Sequence, residues 1–274
     1  MASWNPALYL SFADQRTRPA AELLARIPGP DPRTVIDLGC GPGNSTALLA
    51  ARWPNALLEG LDSSAAMLEQ AGASGVPARW VQADIASWAP AAPYDLIFSN
   101  ATFQWLEDQA ALLPRLMEHV KPGGVFAFQV PANFNAPSHA LMREVANEPQ
   151  WTERLKNVSG IVPGSAQGYY DMLAPYAASL DIWQTEYLQV LDGEDPVYRW
   201  VSATGLRPYL DALAGKDKED FIAQYKARLN HAYPRRAAPT ARRCFPFSVC
   251  LWWRRVNLQS PSAIPSRLGS AAPI

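Results

Sequence analysis

The chain has 274 residues, of which 49% are apolar, and its formal net charge at pH 7 is −1. This length allows one large domain or a core domain with an added cap, and the apolar fraction is sufficient for a sizeable core. A charge so close to zero argues against a general nucleic-acid binder and against a polybasic membrane protein. No apolar run reaches the ~20 residues of a membrane helix, and no signal peptide is seen. We therefore expect a cytoplasmic protein that binds neither nucleic acid nor membrane.

The three cysteines, Cys40, Cys244 and Cys250, have the spacing of neither a zinc site nor a disulfide framework. A reducing compartment is the natural interpretation. We therefore expect no metal centre and no disulfide.

Short apolar runs alternate with helical segments through the first 132 residues. Strands are predicted at 34–38, 56–61, 78–82, 94–99 and 125–130, helices at 6–26, 44–52, 64–71 and 109–119, and a turn at 121–124. Asn44 or Ser45 is expected to cap the second helix. This alternation predicts a parallel, doubly wound sheet within a core domain at residues 1–132.

The pattern changes over residues 133–236, where helices are expected at 140–146 and 217–232 around a sixth strand at 185–190. We interpret this region as a helical cap that binds substrate. A sheet of this kind usually finishes with an antiparallel strand, which we expect at 245–253. The predicted fold is therefore α/β and Rossmann-like, with a doubly wound, mostly parallel, seven-stranded sheet and a helical cap inserted in the C-terminal half.

Residues 237–274 form an atypical tail in this prediction. The run Cys250-Leu251-Trp252-Trp253 is unusual for a closing strand, and the Ser/Pro-rich residues after about 256 have the composition of a disordered segment. We hypothesise that the gene or its reported sequence carries a frameshift near residue 237, which resequencing would test.

A glycine-rich loop, Asp37-Leu38-Gly39-Cys40-Gly41-Pro42-Gly43, follows the first predicted strand. Glycines at such a turn let the backbone approach a ligand closely and adopt conformations that a side chain forbids. The G-x-G-x-G spacing differs from the G-x-G-x-x-G of dinucleotide binders. A tight turn without a ligand is the alternative. Cys40 is expected to be a small packed side chain in this turn, not a nucleophile.

Acidic side chains follow the next two strands. Asp62 ends the second strand, where a carboxylate can accept hydrogen bonds from both ribose hydroxyls; capping the helix after Ser63 and Ser64 is the alternative. Asp84 follows the third strand, where it could accept a hydrogen bond from the exocyclic amine of adenine, with Ile85 against the ring.

Asn100 and Ala101 follow the fourth strand. The carboxyl ends of parallel strands meet at one edge of the sheet, which is where open α/β sheets bind ligands. Together with the glycine loop, Asp62 and Asp84, these residues predict a site for a nucleoside-containing cofactor.

These motifs resemble those of class I S-adenosylmethionine-dependent methyltransferases, as do Tyr94-Asp95-Leu96-Ile97 and Lys121-Pro122-Gly123-Gly124. Further blocks, over roughly residues 3–234, resemble the trans-aconitate 2-methyltransferase family. They are Trp4-Asn5-Pro6, Arg16-Thr17-Arg18-Pro19, Gln104-Trp105-Leu106, Leu141-Met142-Arg143-Glu144-Val145, Tyr169-Tyr170-Asp171 and Trp200-Val201-Ser202-Ala203-Thr204-Gly205-Leu206-Arg207-Pro208. The last block is the most family-specific, and it lies in the predicted cap.

The resemblance implies methyl transfer from S-adenosylmethionine to a carboxylate of trans-aconitate, which gives a monomethyl ester. A carboxylate is already ionised at neutral pH and needs no general base. Positioning alone can supply up to about 7–11 kcal/mol, so we predict no catalytic residue and no metal. The predicted cofactor site comprises Asp37, Gly39, Cys40, Gly41, Gly43, Asp62, Ser63, Met67, Asp84, Ile85, Asn100 and Ala101.

A tricarboxylate calls for arginines, whose forked guanidinium groups grip carboxylates with two hydrogen bonds. The predicted substrate-binding residues are Arg16, Arg18, Arg143 and Arg207, with His139, Tyr169 and Tyr170 as neutral donors and Trp105 as a cavity wall. For each arginine, a solvated helix face or a structural ion pair is the alternative, and Trp105 could instead be a core residue. Arg207 is the favoured arginine because it lies in the family-specific block.

Three other functions remain open at this stage. They are methyl transfer to another small acid or metabolite, cofactor binding without turnover, and NAD-dependent oxidoreduction, against which the loop spacing and Asp84 argue. The partner expected is a small anionic tricarboxylate, and the expected state is a monomer or weak dimer.

Overall fold

The computed structural model describes residues 13–158, 164–235 and 243–256. In these residues one seven-stranded sheet has the strand order β3-β2-β1-β4-β5-β7-β6. The strands are β1 Thr34–Leu38, β2 Leu57–Asp62, β3 Arg79–Gln82, β4 Tyr94–Asn100, β5 Val120–Pro131, β6 Ala177–Leu191 and β7 Arg243–Val256. The α-helices are α1 Ala13–Arg26, α2 Asn44–Arg52, α3 Ala65–Ala73, α4 Gln109–Met117, α5 Pro137–Ala146, α6 Pro149–Leu155, α7 Ala166–Leu173, α8 Pro196–Ser202, α9 Arg207–Ala212 and α10 Gly215–Ala232. Short 3₁₀ turns lie at Phe103–Trp105 and Ala174–Tyr176.

Strands β1 to β5 are joined by parallel pairing, in the order 3-2-1-4-5 of a doubly wound nucleotide-binding sheet. Strand β7 runs antiparallel to both β5 and β6, between which it lies. The predicted α/β class and mostly parallel sheet are confirmed. Parallel pairing nevertheless links five strands and not all seven, because the last strand enters the sheet in the opposite direction.

The central strands β1, β4 and β5 are largely buried, and because successive side chains of a strand point to opposite sides, both of their faces must be covered. On β4, Ile97 packs in one apolar cluster with α4 and α7, whereas Leu96 and Phe98 pack in another with α1 and α2. Helices therefore cover both faces, and the carboxyl ends of β1 to β4 share one open edge.

The helices of the second half other than α7 share a hydrophobic core of their own. Trp151 of α6, Trp200 of α8 and Phe221 of α10 are buried together, and Phe245 of β7 joins them. This separate core is what the predicted cap needs in order to hold its shape. Within the described residues, no helix is long and apolar enough to cross a membrane.

Several local predictions differ from the structure. The turn at 121–124 lies inside β5 as a bulge: Val120 pairs with Tyr94 and Val125 with Leu96, so that the intervening residues loop out. Gly43, with a left-handed φ of 91°, precedes α2 as its N-cap, in place of Asn44 or Ser45.

The last two strands were underestimated in length. The sixth strand, predicted at 185–190, runs from Ala177 to Leu191, and the strand expected at 245–253 extends over Arg243–Val256. The predicted disorder after about 256 lies outside the described residues, as do residues 6–12 of the predicted first helix. The frameshift near residue 237 stays a hypothesis.

Candidate active site

A cavity of about 740 Å³ opens at the carboxyl edge of the parallel strands. Its walls come from four strand ends, from α1 and from the start of α9. The lining residues are Thr17, Ala20, Gly39, Cys40, Gly41, Pro42, Asn44, Ser45, Asp62, Ser63, Ser64, Ala65, Met67, Gln82, Ala83, Asp84, Ile85, Asn100, Ala101, Thr102, Trp105, Leu106, Thr204, Arg207 and Pro208. Ten of the twelve predicted cofactor residues are among them, all except Asp37 and Gly43.

The glycine loop needs glycine for different reasons at different positions. Gly39 has φ +72°, and a Cβ there would lie 2.2 Å from the Thr102 hydroxyl oxygen. Gly41 has φ +55°, and no atom lies within 4 Å of the position its Cβ would take. The first glycine therefore allows close packing against β4, whereas the second leaves the cavity open.

Gly43 does not line the cavity, in contrast to the prediction. It faces the indole of Trp80, which would lie 3.1 Å from an added Cβ, and the same ring covers Gly60 of β2, where the distance would be 2.4 Å. The Trp80 indole therefore packs between β2 and the glycine loop. Only a fold that places β3 beside β2 brings these residues together, so the sequence carried no local signal for it.

Asp37 is also absent from the cavity wall, because it is completely buried beneath the loop. Its Oδ2 accepts hydrogen bonds from the hydroxyls of Ser45 and Thr46, both at 2.7 Å. Within the described residues its Oδ1 has no hydrogen-bond partner. Burial raises the pKa of this carboxyl to about 6, although the two hydroxyl bonds oppose the shift. Asp37 thus anchors the first turn of α2 to β1 from below.

We expect Asp37 to give the protein a specific dependence of stability on pH. The pKa of Asp37 is about 6 in the folded protein and 3.8 for a solvent-exposed aspartate, as in the unfolded chain, so the folded state binds the proton more tightly. Its stabilising contribution is therefore complete below pH 3.8 and is lost as pH rises through about 6. Relative to Asp37→Asn, the wild type should gain stability between pH 7.5 and 5.5, within a maximum of about 3 kcal/mol. Urea unfolding at several pH values measures this difference, and a constant difference would contradict it.

Asp62 lies at the end of β2 with both carboxylate oxygens already engaged. Oδ2 accepts from the backbone N–H of Gly41 and Oδ1 from that of Ser64, both at 2.9 Å. Ser64, not Asp62, is the N-cap of α3. Because each carboxylate oxygen can accept more than one hydrogen bond, Asp62 can hold the glycine loop in place and still bind a ligand in the cavity.

The third and fourth strand ends contribute different groups. Asp84 accepts a hydrogen bond from the backbone N–H of Ala86 at 2.9 Å, and its neighbour Ile85 is buried in the wall. Asn100 ends β4, and its Oδ1 is buried without a hydrogen-bond partner in the described part of the chain. Ala101 follows with a left-handed φ of 54°.

Cys40 lines the cavity, but burial raises the pKa of its thiol far above the ordinary value, and the negative charges of Asp37 and Asp62 add to this effect. The thiol is therefore protonated at neutral pH. This agrees with the expected role of a packed small side chain, since the thiolate is the nucleophilic form.

Of the predicted substrate residues, Arg207 and Trp105 line the cavity. Arg207 begins α9 and is 8% exposed, with one guanidinium nitrogen 3.8 Å from the carboxylate of Asp211. Burial lowers the pKa of this guanidinium, and Asp211 partly offsets the shift. A guanidinium remains charged even so, because its ordinary pKa is above 12.

Two of the predicted arginines have structural partners elsewhere. Arg18 pairs with Glu22 at 3.1 Å and lies over the ring of Tyr187. Arg143 donates to the carbonyl oxygen of Phe134 at 2.8 Å and covers the ring of that residue. The side chain of Arg16 lies outside the described residues.

The three neutral donors are also outside the cavity wall. His139 is buried beside Ser138, and burial, with the charge of Arg143, lowers its pKa to about 4. Tyr169 is buried with its hydroxyl on Gln109, and Tyr170 is exposed to solvent. A role for these residues in direct substrate contact has no support in the geometry.

Sequence reasoning missed several wall residues. Thr17 and Ala20 come from α1, Thr102 and Leu106 flank the 3₁₀ turn after β4, and Thr204 precedes Arg207. Thr17 and Thr204 lie in blocks whose family resemblance was noted. Their hydroxyls could therefore have been proposed together with the arginines.

Comparison with known proteins agrees with this geometry. A family profile described as a methyltransferase domain matches residues 12–176. A protein of Azoarcus sp. (strain BH72) named trans-aconitate 2-methyltransferase is 52% identical over 248 residues, covering 90% of this chain and 96% of its own. A protein of the same name from Methylobacterium radiotolerans is 48% identical, with the same coverage of 90% and 96%.

Solved structures show the fold. The YcgJ protein of Bacillus subtilis has a TM-score of 0.56 at 16% identity, over 88% of this chain and 99% of that one. A coclaurine N-methyltransferase bound to N-methylheliamine and SAH has a TM-score of 0.51 at 15% identity, over 89% of this chain and 71% of that one. On the strength of the family profile and the two long, similar relatives, this chain belongs to the trans-aconitate 2-methyltransferase family of methyltransferase-domain proteins.

Proposed function

We propose that this chain is an S-adenosylmethionine-dependent O-methyltransferase that forms the monomethyl ester of trans-aconitate. The observation that supports it is one cavity with two chemically different ends. The glycine loop and Asp62 lie at the ends of β1 and β2, and the cationic Arg207 enters the same cavity from the cap.

The residues present fit the cofactor. A volume of about 740 Å³ is within the range of sites that enclose a small molecule. Gly41 leaves space beside the loop, Asp62 retains acceptor capacity for hydroxyl groups, and the buried Oδ1 of Asn100 is an acceptor that a donor on the cofactor would satisfy. When bound, S-adenosylmethionine supplies a methyl group on a positively charged sulfur.

The chain itself binds and orients the acceptor. Arg207 offers a fork of N–H donors that matches one carboxylate. Trp105 and Leu106 contribute apolar side chains to the wall of the same cavity. Because the acceptor carboxylate is ionised at neutral pH, the site needs no general base, and Cys40, the thiol in the wall, stays protonated. In this mechanism residues 1–132 bind the cofactor and supply the wall at Trp105, and residues 133–236 supply the charged substrate contact at Arg207.

The test is transfer of a labelled methyl group from S-adenosylmethionine to trans-aconitate, cis-aconitate, isocitrate, citrate and an unbranched monocarboxylate. We expect trans-aconitate to give the highest kcat/KM, with a base-labile ester as product. Calorimetric titration with S-adenosylmethionine should show binding without any acceptor. Absence of binding at millimolar concentration would overturn the proposal, and binding without ester formation would select a member that has lost turnover.

A methyltransferase for another small carboxylic acid is the second candidate. One guanidinium forms a bidentate pair with one carboxylate, and Arg207 is the cationic side chain that the described residues contribute to the wall. A monocarboxylate that outperforms trans-aconitate in the panel would favour this candidate. We also propose that the protein is cytoplasmic and that it is a monomer or weak dimer. Light scattering after gel filtration would test the oligomeric state.

A further inference from the structure

The segment between β4 and α4 is held in a strained conformation. Ala101, at its start, has φ +54°, and Asp108, at its end, has φ +47°. For residues other than glycine, such a left-handed conformation persists only where the surroundings enforce it. The segment between them carries the 3₁₀ turn Phe103–Trp105, through which Trp105 reaches the cavity wall.

Hydrogen bonds within the segment help to hold this backbone conformation. The side-chain amide of Gln104 donates to the carbonyl oxygen of Ala101 at 2.6 Å, and the backbone N–H of Trp105 donates to the carbonyl oxygen of Thr102 at 3.0 Å. These bonds shape the turn. They do not fix it relative to the rest of the molecule.

Two buried hydrogen bonds in series connect the turn to α7. The Gln109 side-chain amide donates to the carbonyl oxygen of Phe103 at 2.8 Å. The hydroxyl of Tyr169 on α7 donates to the side-chain carbonyl oxygen of the same Gln109, also at 2.8 Å. Gln109 is 7% exposed and Tyr169 is 1% exposed, so water cannot replace either partner without rearrangement.

The ring of Tyr169 is itself tightly confined. It packs edge-on against Phe128 of β5, with ring centroids 5.5 Å apart. On another side it lies against Gly164, where an added Cβ would be 2.2 Å from the ring. The hydroxyl therefore has little freedom to leave Gln109.

We propose that Tyr169 is a positioning residue for methyl transfer: through Gln109 it holds the Phe103–Trp105 turn, and with it the wall against which the acceptor lies. This inference rests on the proposed function. It replaces the direct substrate contact expected for Tyr169 with an action through two other residues. Loss of the hydroxyl would leave the Gln109 oxygen buried without a donor and would loosen the hold of Gln109 on the turn, although the Phe103 ring stays packed against Phe126 and Phe128.

The test compares Tyr169→Phe with Tyr225→Phe. Tyr225 is an equally buried tyrosine of the cap core whose hydroxyl donates to the carbonyl oxygen of Ser138, away from the cavity. Both variants remove one buried hydroxyl and keep the ring. We expect Tyr169→Phe to lower kcat for the acceptor about tenfold, with the cofactor Kd within about twofold of wild type. Tyr225→Phe should keep both constants unchanged, although it also lowers the unfolding temperature.

Hydrogen exchange in the cofactor-free protein gives a readout that does not depend on activity. Amides of residues 103–106 should exchange faster in Tyr169→Phe than in wild type, and at the wild-type rate in Tyr225→Phe. Gly164→Ala, which displaces the ring without removing a hydrogen-bonding group, should reproduce the faster exchange. If Tyr169→Phe has the same amide exchange rates and the same kcat as the wild type, the inference is wrong. If the wild type binds cofactor but esterifies no acid, only the proposed function is wrong. The comparison of exchange rates would still test whether Tyr169 holds the turn.

Discussion

Arg207→Gln is expected to raise the KM for the acceptor acid by about 10- to 100-fold, since a hydrogen bond to a charged group contributes about 1.5–3 kcal/mol. Glutamine keeps a polar side chain, which is shorter, and removes the charge and the forked donors. The cofactor Kd should stay within about twofold, because the guanidinium enters the cavity from the start of α9 and the glycine loop lies between β1 and α2. Steady-state kinetics together with calorimetry would measure both constants.

Arg199→Gln is the matched control. Arg199 lies on α8, which shares an apolar cluster with α9; it is exposed, and it is not among the residues of the cavity wall. Its replacement should change neither constant. Arg207→Lys separates charge from geometry, because lysine retains the charge without the forked donors. The KM of this variant for the acceptor acid should lie between those of the wild type and Arg207→Gln. Equal KM values in Arg207→Gln and Arg199→Gln would remove Arg207 from the substrate site.

Gly39→Ala is expected to weaken cofactor binding at least tenfold and to destabilise the fold by about 2–4 kcal/mol. The left-handed backbone accounts for about 1–2 kcal/mol of this. The rest comes from steric conflict, because the new methyl group would lie 2.2 Å from the Thr102 hydroxyl oxygen. Urea unfolding and calorimetric titration would report the two effects on one protein sample.

Gly75→Ala isolates the backbone contribution. Gly75 is an exposed residue after α3 with φ +76°, close to the value at Gly39, and no atom lies within 4 Å of its added Cβ. This variant should lose only about 1–2 kcal/mol and bind cofactor normally. Thr102→Ala in the Gly39→Ala background should recover part of the lost stability, as it removes the two closest atoms. If Gly39→Ala behaves like Gly75→Ala, close packing against Thr102 has no energetic role.

The core of the fold could be predicted because its signals are local. Strands β1, β2 and β4 are short, largely apolar runs that end at or beside glycine, aspartate or asparagine, and β1, β4 and the end of β3 fall within a residue or two of their predicted positions. The carboxyl edge of the sheet follows from topology alone, so Asp62, Asp84 and Asn100 were brought together correctly. Asp37 was misplaced because side chains in a strand alternate between faces, and this one points under the loop toward Ser45 and Thr46.

The substrate side could not be predicted to the same extent. Helical periodicity does not reveal which arginine of several reaches a distant cavity. Arg207 was favoured on sequence only because it lies in the family-specific block, and Arg143 remained a weaker candidate; only the packing of α5 shows that the Arg143 guanidinium covers Phe134. The Tyr169–Gln109 pair joins residues 60 apart in sequence, and it likewise emerges only when α7 packs on α4.

The position of β7 has a consequence for biosynthesis. Among the described strands, β6 lies at one edge of the sheet and pairs with β7 alone. Strand β7 comprises residues 243–256. On the ribosome, β5 and β6 emerge well before the strand that must slide between them. Until translation reaches that point, both would carry unpaired backbone groups that invite association with other chains. Chaperone engagement of nascent chains should therefore persist until the final strand has left the exit tunnel.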